Sequence, residues 1–342
     1  MKKLANDLIL RVLRGDPADR TPIWIMRQAG RYLPEYMAVR AKYDFLTICK
    51  TPEIAAEVTI QPVDAVDVDA AIVFSDILVL PEAMGMDLVV EEGKGGPRFL
   101  NPVRDRISAS QVHDADCDKN LGYVAEALRI TTERLGGRVP LIGFCGSPWT
   151  MLAYMVEGKG GEFAHARSML YNDPSTAHRL LEALTRNCIS YLKMQHRAGA
   201  DLVQIFDSWA GYLSPDLYRE FSLRYIEQII RTLSSEVPVI VFAKGAGLSL
   251  DSIAAIAPAA VGVDWTVSID RAAKIIGGAV QGNLDPAVLL AGSSVIEAET
   301  RKILEIAPRG RHIFNLGHGI LQSTPVENVR TLVRFVKKWR HD

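Results

Sequence analysis

Apolar residues fall in short, nearly unbroken runs, separated by stretches with helical periodicity. The runs occupy residues 23–26, 71–74, 141–144, 202–206, 237–242, 260–263, 279–281 and 312–316. Runs of this length without alternation suit parallel strands covered on both faces. Most are followed by polar or glycine-rich residues: Arg27 and Gln28, Ser75 and Asp76, Gly146 and Ser147, Asp207 and Ser208, Lys244 and Gly245, Asp264 and Trp265, Gly282 and Asn283, Gly317 and His318. The helical stretches carry their own start and stop signals. Asp173-Pro174 opens a periodic segment that closes at Gly199, and Ser214-Pro215 opens another running through Leu233. Ser249 opens a short one before Pro258, and Thr324-Pro325 caps a last helix reaching about Trp339.

Eight strands alternating with helices predict an α/β chain, a single (β/α)8 barrel of one domain over residues 1–342. A doubly wound open sheet would also alternate. The count of eight and the polar strand ends favour the barrel. One insertion interrupts the rhythm: residues 86–104 alternate about a turn at residues 93–97 and predict a small β-hairpin after the second strand. A second glycine-rich loop spans residues 157–162, and either loop is a candidate for closing over a site.

Charge and cysteine usage narrow the function classes. Lys and Arg total 39 against 40 Asp and Glu, a net charge of −1, which argues against a nucleic-acid-binding face. The four cysteines are widely spaced with no C-x-x-C, as in reduced, buried thiols of a cytoplasmic protein. No apolar run approaches the length of a membrane span. The first 16 residues, broken by Asn6, Asp7 and Arg11, read as a short amphipathic helix and not as a signal peptide. There is no P-loop, no H-E-x-x-H, and only a weak dinucleotide signal at Gly245-Ala246-Gly247. Asp64, Asp67 and Asp69 lack the rest of a calcium loop and read as a solvated helix end. No metal or organic cofactor is expected.

Candidate chemistry collects at the strand ends. Arg27 ends the first strand, Arg31 follows four residues later, and Arg40 lies beyond. Arginine suits carboxylate or phosphate ligands because its planar fork binds two oxygens at once. Asp76 sits among Phe74, Ile77 and Leu78, where a carboxylate is costly without a partner. Tyr154 follows the third strand, Ser208 the fourth, and His318 lies between two glycines after the eighth.

The stretches MRQAGRYLPEY, FSDIL, GFCGSPWTMLAYMVEG, FDSWAG, QGNLDP and FNLGHGI, in this order and spacing, resemble the uroporphyrinogen decarboxylase family over essentially the whole chain. The resemblance implies a cofactor-free (β/α)8-barrel enzyme, usually a homodimer. It would turn the four acetate side chains of uroporphyrinogen III into methyl groups, giving coproporphyrinogen III and CO2 in haem biosynthesis. By position, the implied substrate-binding residues are Arg27, Gln28, Ala29, Gly30, Arg31, Asp76, Tyr154, Ser208 and His318, with Arg40 a further basic residue. Asp76, Arg27 and Tyr154 are the implied catalytic groups. Two other readings stand beside it: a related barrel methyltransferase, which would need a zinc site, and a non-catalytic tetrapyrrole-binding protein.

Overall fold

The computed structural model describes residues 4–91 and 96–340. Seven parallel strands form one curled sheet: β1 (Ala71–Ile72), β4 (Leu141–Gly146), β5 (Leu202–Asp207), β6 (Val239–Ala243), β7 (Ala260–Gly262), β8 (Ala279–Leu284) and β9 (His312–Leu316), each paired with the next in that order. A separate antiparallel pair, β2 (Leu88–Glu91) and β3 (Gly96–Phe99), is the expected hairpin. Most of its turn, residues 93–95, lies outside the described residues.

The first expected strand is present only as a bridging segment. Ile23 pairs in parallel with Phe314 of β9, and the Ile23 carbonyl accepts from Asp69 N–H at 2.7 Å on the other side. The segment therefore closes the ring between β9 and β1. It forms no regular ladder because side chains take over its N–H groups. Asp69 accepts from Ile23 N–H, Gln28 from Ile25 N–H, and Asn315 from Met26 N–H. Trp24 N–H alone bonds a neighbouring strand, donating to the Phe314 carbonyl of β9 at 3.3 Å. The donors of Ile23, Ile25 and Met26 go to amides and a carboxylate, so each buried N–H from 23 to 26 is satisfied.

The lumen of the barrel is packed. Trp24, Ile142, Leu202, Ile240, Phe242 and Ile313 form one buried cluster, with the helix Leu8–Arg14 adding Ile9 and Val12. Polar contacts cross this lumen between strands that are not neighbours: Trp24 Nε1 donates to Gln281 Oε1 at 2.9 Å, and Gln281 Nε2 to Gln204 Oε1 at 3.0 Å. These contacts identify the inward-facing parity of each strand, since side chains alternate with period two. The larger core lies between sheet and helices, where the Pro174–Arg197 helix buries Leu180, Leu181, Leu184, Cys188 and Leu192.

Most helices follow their sequence signals. The side chain of Asp173 accepts from Thr176 N–H and caps the helix beginning at Pro174, and Ser214 caps the next through Leu217 N–H. That second helix is not regular: a π-turn over Arg219–Leu223 separates Pro215–Tyr218 from Arg224–Leu233. In the last helix, Val326–Lys338, the cap position falls to Pro325, and the Thr324 hydroxyl does not cap it. Asp69 corrects the expectation of a solvated acidic cluster. It is fully buried, with Arg20 on both carboxylate oxygens at 2.6 and 2.7 Å and Asn6 Nδ2 at 2.7 Å. All four cysteines are buried and unpaired by disulfide.

Candidate active site

The site is the mouth at the C-terminal ends of the strands, where loops from successive repeats converge. Its first wall is the turn after the bridging segment. Gln28 N–H donates to the Ile25 carbonyl at 2.9 Å, and Arg27 takes a left-handed backbone with φ 64°. This conformation is unfavourable for a side-chain-bearing residue and persists where its surroundings enforce it. The side chain of Gln28 is buried, bonding the Ala70 carbonyl and Ile25 N–H, so it braces the turn from within. Arg27 points the other way, with its stem across Gly319; a Cβ at Gly319 would collide with Cδ of Arg27. Among the described residues the Arg27 guanidinium has no hydrogen-bond or ion-pair partner, and the residue is exposed. Ala29 and Gly30 complete the tight turn, where a Cβ on Gly30 would lie 2.8 Å from the Arg27 carbonyl oxygen.

Asp76 lies four residues beyond the end of β1. Its side chain accepts one hydrogen bond, from Leu78 N–H at 2.8 Å. The carboxylate reaches water through the mouth yet is deep among protein atoms. Desolvation pushes its pKa above the ordinary value, against the pull of the Leu78 N–H and the Arg27 charge. Tyr154 stands on the helix Pro148–Glu157, which Ser147 caps. Its pKa is pushed up to about 12, first by burial and then by the Asp76 charge, with Arg27 opposing. The phenol therefore stays protonated and can donate. Its ring contacts Phe163 and Trp209, each at 5.9 Å between centroids. A Cβ on Gly160, in the second glycine-rich loop, would come 3.5 Å from its hydroxyl.

His318 completes this group. Its ring stacks on Phe242 of β6 at 5.9 Å and 13°. Burial first, then the Arg27 and Lys244 charges, lower its pKa to about 3, with Asp264 opposing. The imidazole is neutral at pH 7 and offers a single N–H. Arg27, Asp76, Tyr154 and His318 thus share one electrostatic neighbourhood. Ser208 follows β5, next to Trp209, whose N–H donates to Thr150 Oγ1 at 3.3 Å. Arg31 and Arg40 lie further out and both act on the buried phenol of Tyr36. Arg31 Nη1 donates to Gln322 Oε1 at 3.1 Å, and Arg40 Nη1 to the Tyr43 carbonyl at 2.6 Å.

Lys244 and Asp264, at the ends of β6 and β7, were not among the expected site residues. Their sequence signal was the same as for the others, a polar residue directly after an apolar run. Among the described residues no group of three or more His, Cys, Asp and Glu side chains could hold a metal ion.

Comparison with known proteins adds to this geometry. The family model described as uroporphyrinogen decarboxylase (URO-D) matches residues 4–339. The chain is 50% identical over 345 residues to the uroporphyrinogen decarboxylase of Chlorobium phaeovibrioides, covering 98% of each chain. It is 49% identical over 348 residues to that of Thioalkalivibrio sulfidiphilus, covering 99% of each. Among solved structures, a methyltransferase from Methanosarcina mazei superposes with a TM-score of 0.81 at 21% identity, covering 98% of this chain and 99% of that one. At that identity the likeness speaks for the shared fold alone.

Proposed function

We propose that this chain, which belongs to the uroporphyrinogen decarboxylase family, removes the four acetate carboxyls of uroporphyrinogen III as CO2 and leaves methyl groups, giving coproporphyrinogen III. The observation that carries the reading is the pairing, in one mouth, of a desolvated carboxylate at Asp76 with an unpartnered guanidinium at Arg27.

The substrate class explains why both are needed. A cyclic tetrapyrrole with eight carboxylates presents anions at its rim and N–H donors at its centre. Ionised Asp76 is an acceptor only and can collect several pyrrole N–H groups. Arg27, Arg31 and Arg40 bind rim carboxylates. Gln28 serves by bracing the turn, and Ala29 and Gly30 present its backbone. Tyr154 and Ser208 donate hydroxyl hydrogen bonds, and neutral His318 adds one N–H.

Loss of CO2 from an acetate leaves an electron pair on the methylene carbon, and that pair needs a sink. Protonation of the adjacent pyrrole at its α-carbon makes the ring cationic and supplies one. The C–C bond to the carboxylate then breaks and its electrons enter the ring. Proton delivery to the exocyclic carbon and proton loss from the ring give the methyl product. The Asp76 carboxylate, in place before the ring becomes cationic, stabilises that charge where water is scarce. No step of this sequence calls for a metal or organic cofactor.

The chain acts as one barrel domain, as a homodimer, in the cytoplasm. Four buried free thiols fit a reducing compartment. Exposed apolar residues on the loops after β6 and β7, Leu248 (85%) and Trp265 (41%), support a second copy seated against the mouth rim. No helix among the described residues is long and apolar enough to cross a membrane.

Incubation with uroporphyrinogen under reducing conditions tests the reading, with CO2 and coproporphyrinogen as expected products. Tight binding without CO2 release would make the protein a carrier. Methyl transfer from a donor without decarboxylation would make it a methyltransferase.

A further inference from the structure

Lys244 follows β6 directly, and its place in the ring is set on both sides. Gly211 N–H donates to the Lys244 carbonyl at 2.9 Å, and Lys244 N–H donates to the Asp207 carbonyl at 3.2 Å. The next residue, Gly245, gives its N–H to the carboxylate of Asp264. Its φ of 73° suits glycine. The loops after β5 and β6 meet backbone to backbone here, since a Cβ on Gly211 would lie 2.9 Å from Gly245 Cα. The base of the side chain is therefore held rigidly.

Its direction follows from the pleat. Ile240 and Phe242 point into the lumen, and Lys244 continues that parity at the mouth. The charge of Lys244 acts on His318, which stacks on Phe242 and so stands over the same strand. The ammonium has no hydrogen-bond or ion-pair partner among the described residues. The Asp264 carboxylate, which like Lys244 acts on His318, is taken up elsewhere: it accepts from Gly245 N–H, Thr266 N–H and Thr266 Oγ1. The ammonium of a half-buried lysine left unpaired in this way is a waiting site for an anion.

Ring order gives the site its meaning. Counting the bridging segment as the first position, the strands run β1, β4, β5, β6, β7, β8 and β9 around the barrel. Arg27 ends the first position and Lys244 the fifth, on opposite sides of an eight-position mouth. Arg31 and Arg40 share the Arg27 side. A tetrapyrrole carries carboxylates around its whole rim, so cations on one side alone would leave the far rings unheld.

We propose that Lys244 binds a substrate carboxylate on the side of the mouth opposite Arg27, and so sets specificity for a ring carboxylated all round. This inference rests on the reading of the substrate given above. It is tested by steady-state kinetics of Lys244→Met, which keeps the stem and removes the charge, beside Lys244→Arg, which keeps the charge. A charge-assisted hydrogen bond of ordinary strength predicts that Lys244→Met raises KM for uroporphyrinogen roughly tenfold or more, with a smaller change in kcat. The salt dependence of kcat/KM should weaken in Lys244→Met, since one anion contact is gone, and Lys244→Arg should restore most of both. A wild-type KM and salt dependence in Lys244→Met would overturn the proposal, as would equal losses in the Met and Arg variants. If Lys244→Met does not fold, Lys244→Gln carries the same expectations. A wild-type enzyme that does not turn over uroporphyrinogen would instead overturn the reading of the reaction, so the two failures are distinguishable.

Discussion

Asp76 shows at the scale of one residue how function and stability pull apart. Its pKa is raised, with desolvation the largest cause, so the folded state favours its neutral form. A carboxylate shifted upward stabilises the fold below its unfolded pKa, and that contribution is lost as pH rises through the folded value. At neutral pH the ionised group is a cost that the fold bears. Asp76→Asn is therefore expected to melt no earlier than the native protein at pH 7. Turnover should fall roughly a hundredfold or more, because the stabilising charge is gone. Native-like turnover would remove Asp76 from the role given to it. The pH profile offers a second check. Activity that needs the ionised carboxylate declines as pH drops through a value above the ordinary aspartate range. Arg27 is a cause acting against the upward shift, so Arg27→Gln should move the acid limb of kcat/KM to higher pH. An unmoved limb would mean that another group titrates there.

At the scale of elements, the side chain next to Ser208 ties together the elements that carry the candidate site residues. Asp207, fully buried at the end of β5, accepts from Ser147 Oγ at 2.7 Å, Thr150 Oγ1 at 2.9 Å and Ser222 Oγ at 2.6 Å. One carboxylate thus joins three elements: the strand that Ser208 follows, the start of the helix bearing Tyr154, and the π-turn. Asp207→Ala would strand three buried hydroxyls, and a loss of about 3 kcal/mol or more in unfolding free energy is expected by chemical denaturation. A loss below about 1 kcal/mol would show that the hydroxyls find other partners. The same knot explains what was legible in the sequence. Apolar runs and Asp/Ser-Pro caps locate strands and helices because those signals are local. The π-turn is not local. It turns Ser222 to Asp207 and Phe221 to His178, whose rings stack at 4.6 Å. The first strand became a bridging segment for a related reason, since Asp69, Gln28 and Asn315 come from elsewhere in the chain or fold back on it. Polar residues after apolar runs flagged Arg27, Asp76, Ser208 and His318 as candidates. The left-handed turn that sends Arg27 outward and Gln28 inward left no mark in the spacing.

For the whole molecule, a net charge of −1 means that a polyanionic substrate gains little from the overall field, and attraction depends on cations placed at the mouth. That placement requires a closed ring, since Arg27 and Lys244 can face each other only if the bridging segment is held between β9 and β1. Asp69 is the side chain that holds it. It accepts from Ile23 N–H at 2.9 Å while Arg20 grips both its oxygens, and Lys337 of the last helix lies 3.6 Å away. The carboxylate is fully buried, and the Arg20 and Lys337 side chains are only 15% and 20% exposed. Removing it would leave the Arg20 guanidinium without its carboxylate and an orphaned backbone donor at the seam, while Lys337 keeps Asp67 at 2.6 Å. Breaking such a buried pair costs about 3–5 kcal/mol. Asp69→Ala is therefore expected to lose that much in unfolding free energy. Its KM for the substrate should also rise, because a loosened segment no longer fixes Arg27. Asp76→Asn, by contrast, should lose turnover with no loss of stability. If Asp69→Ala were as stable as the native chain and bound substrate equally well, the backbone bonds of the seam and the Gln28 and Asn315 side chains would suffice to close it, and Asp69 would lose the role given to it.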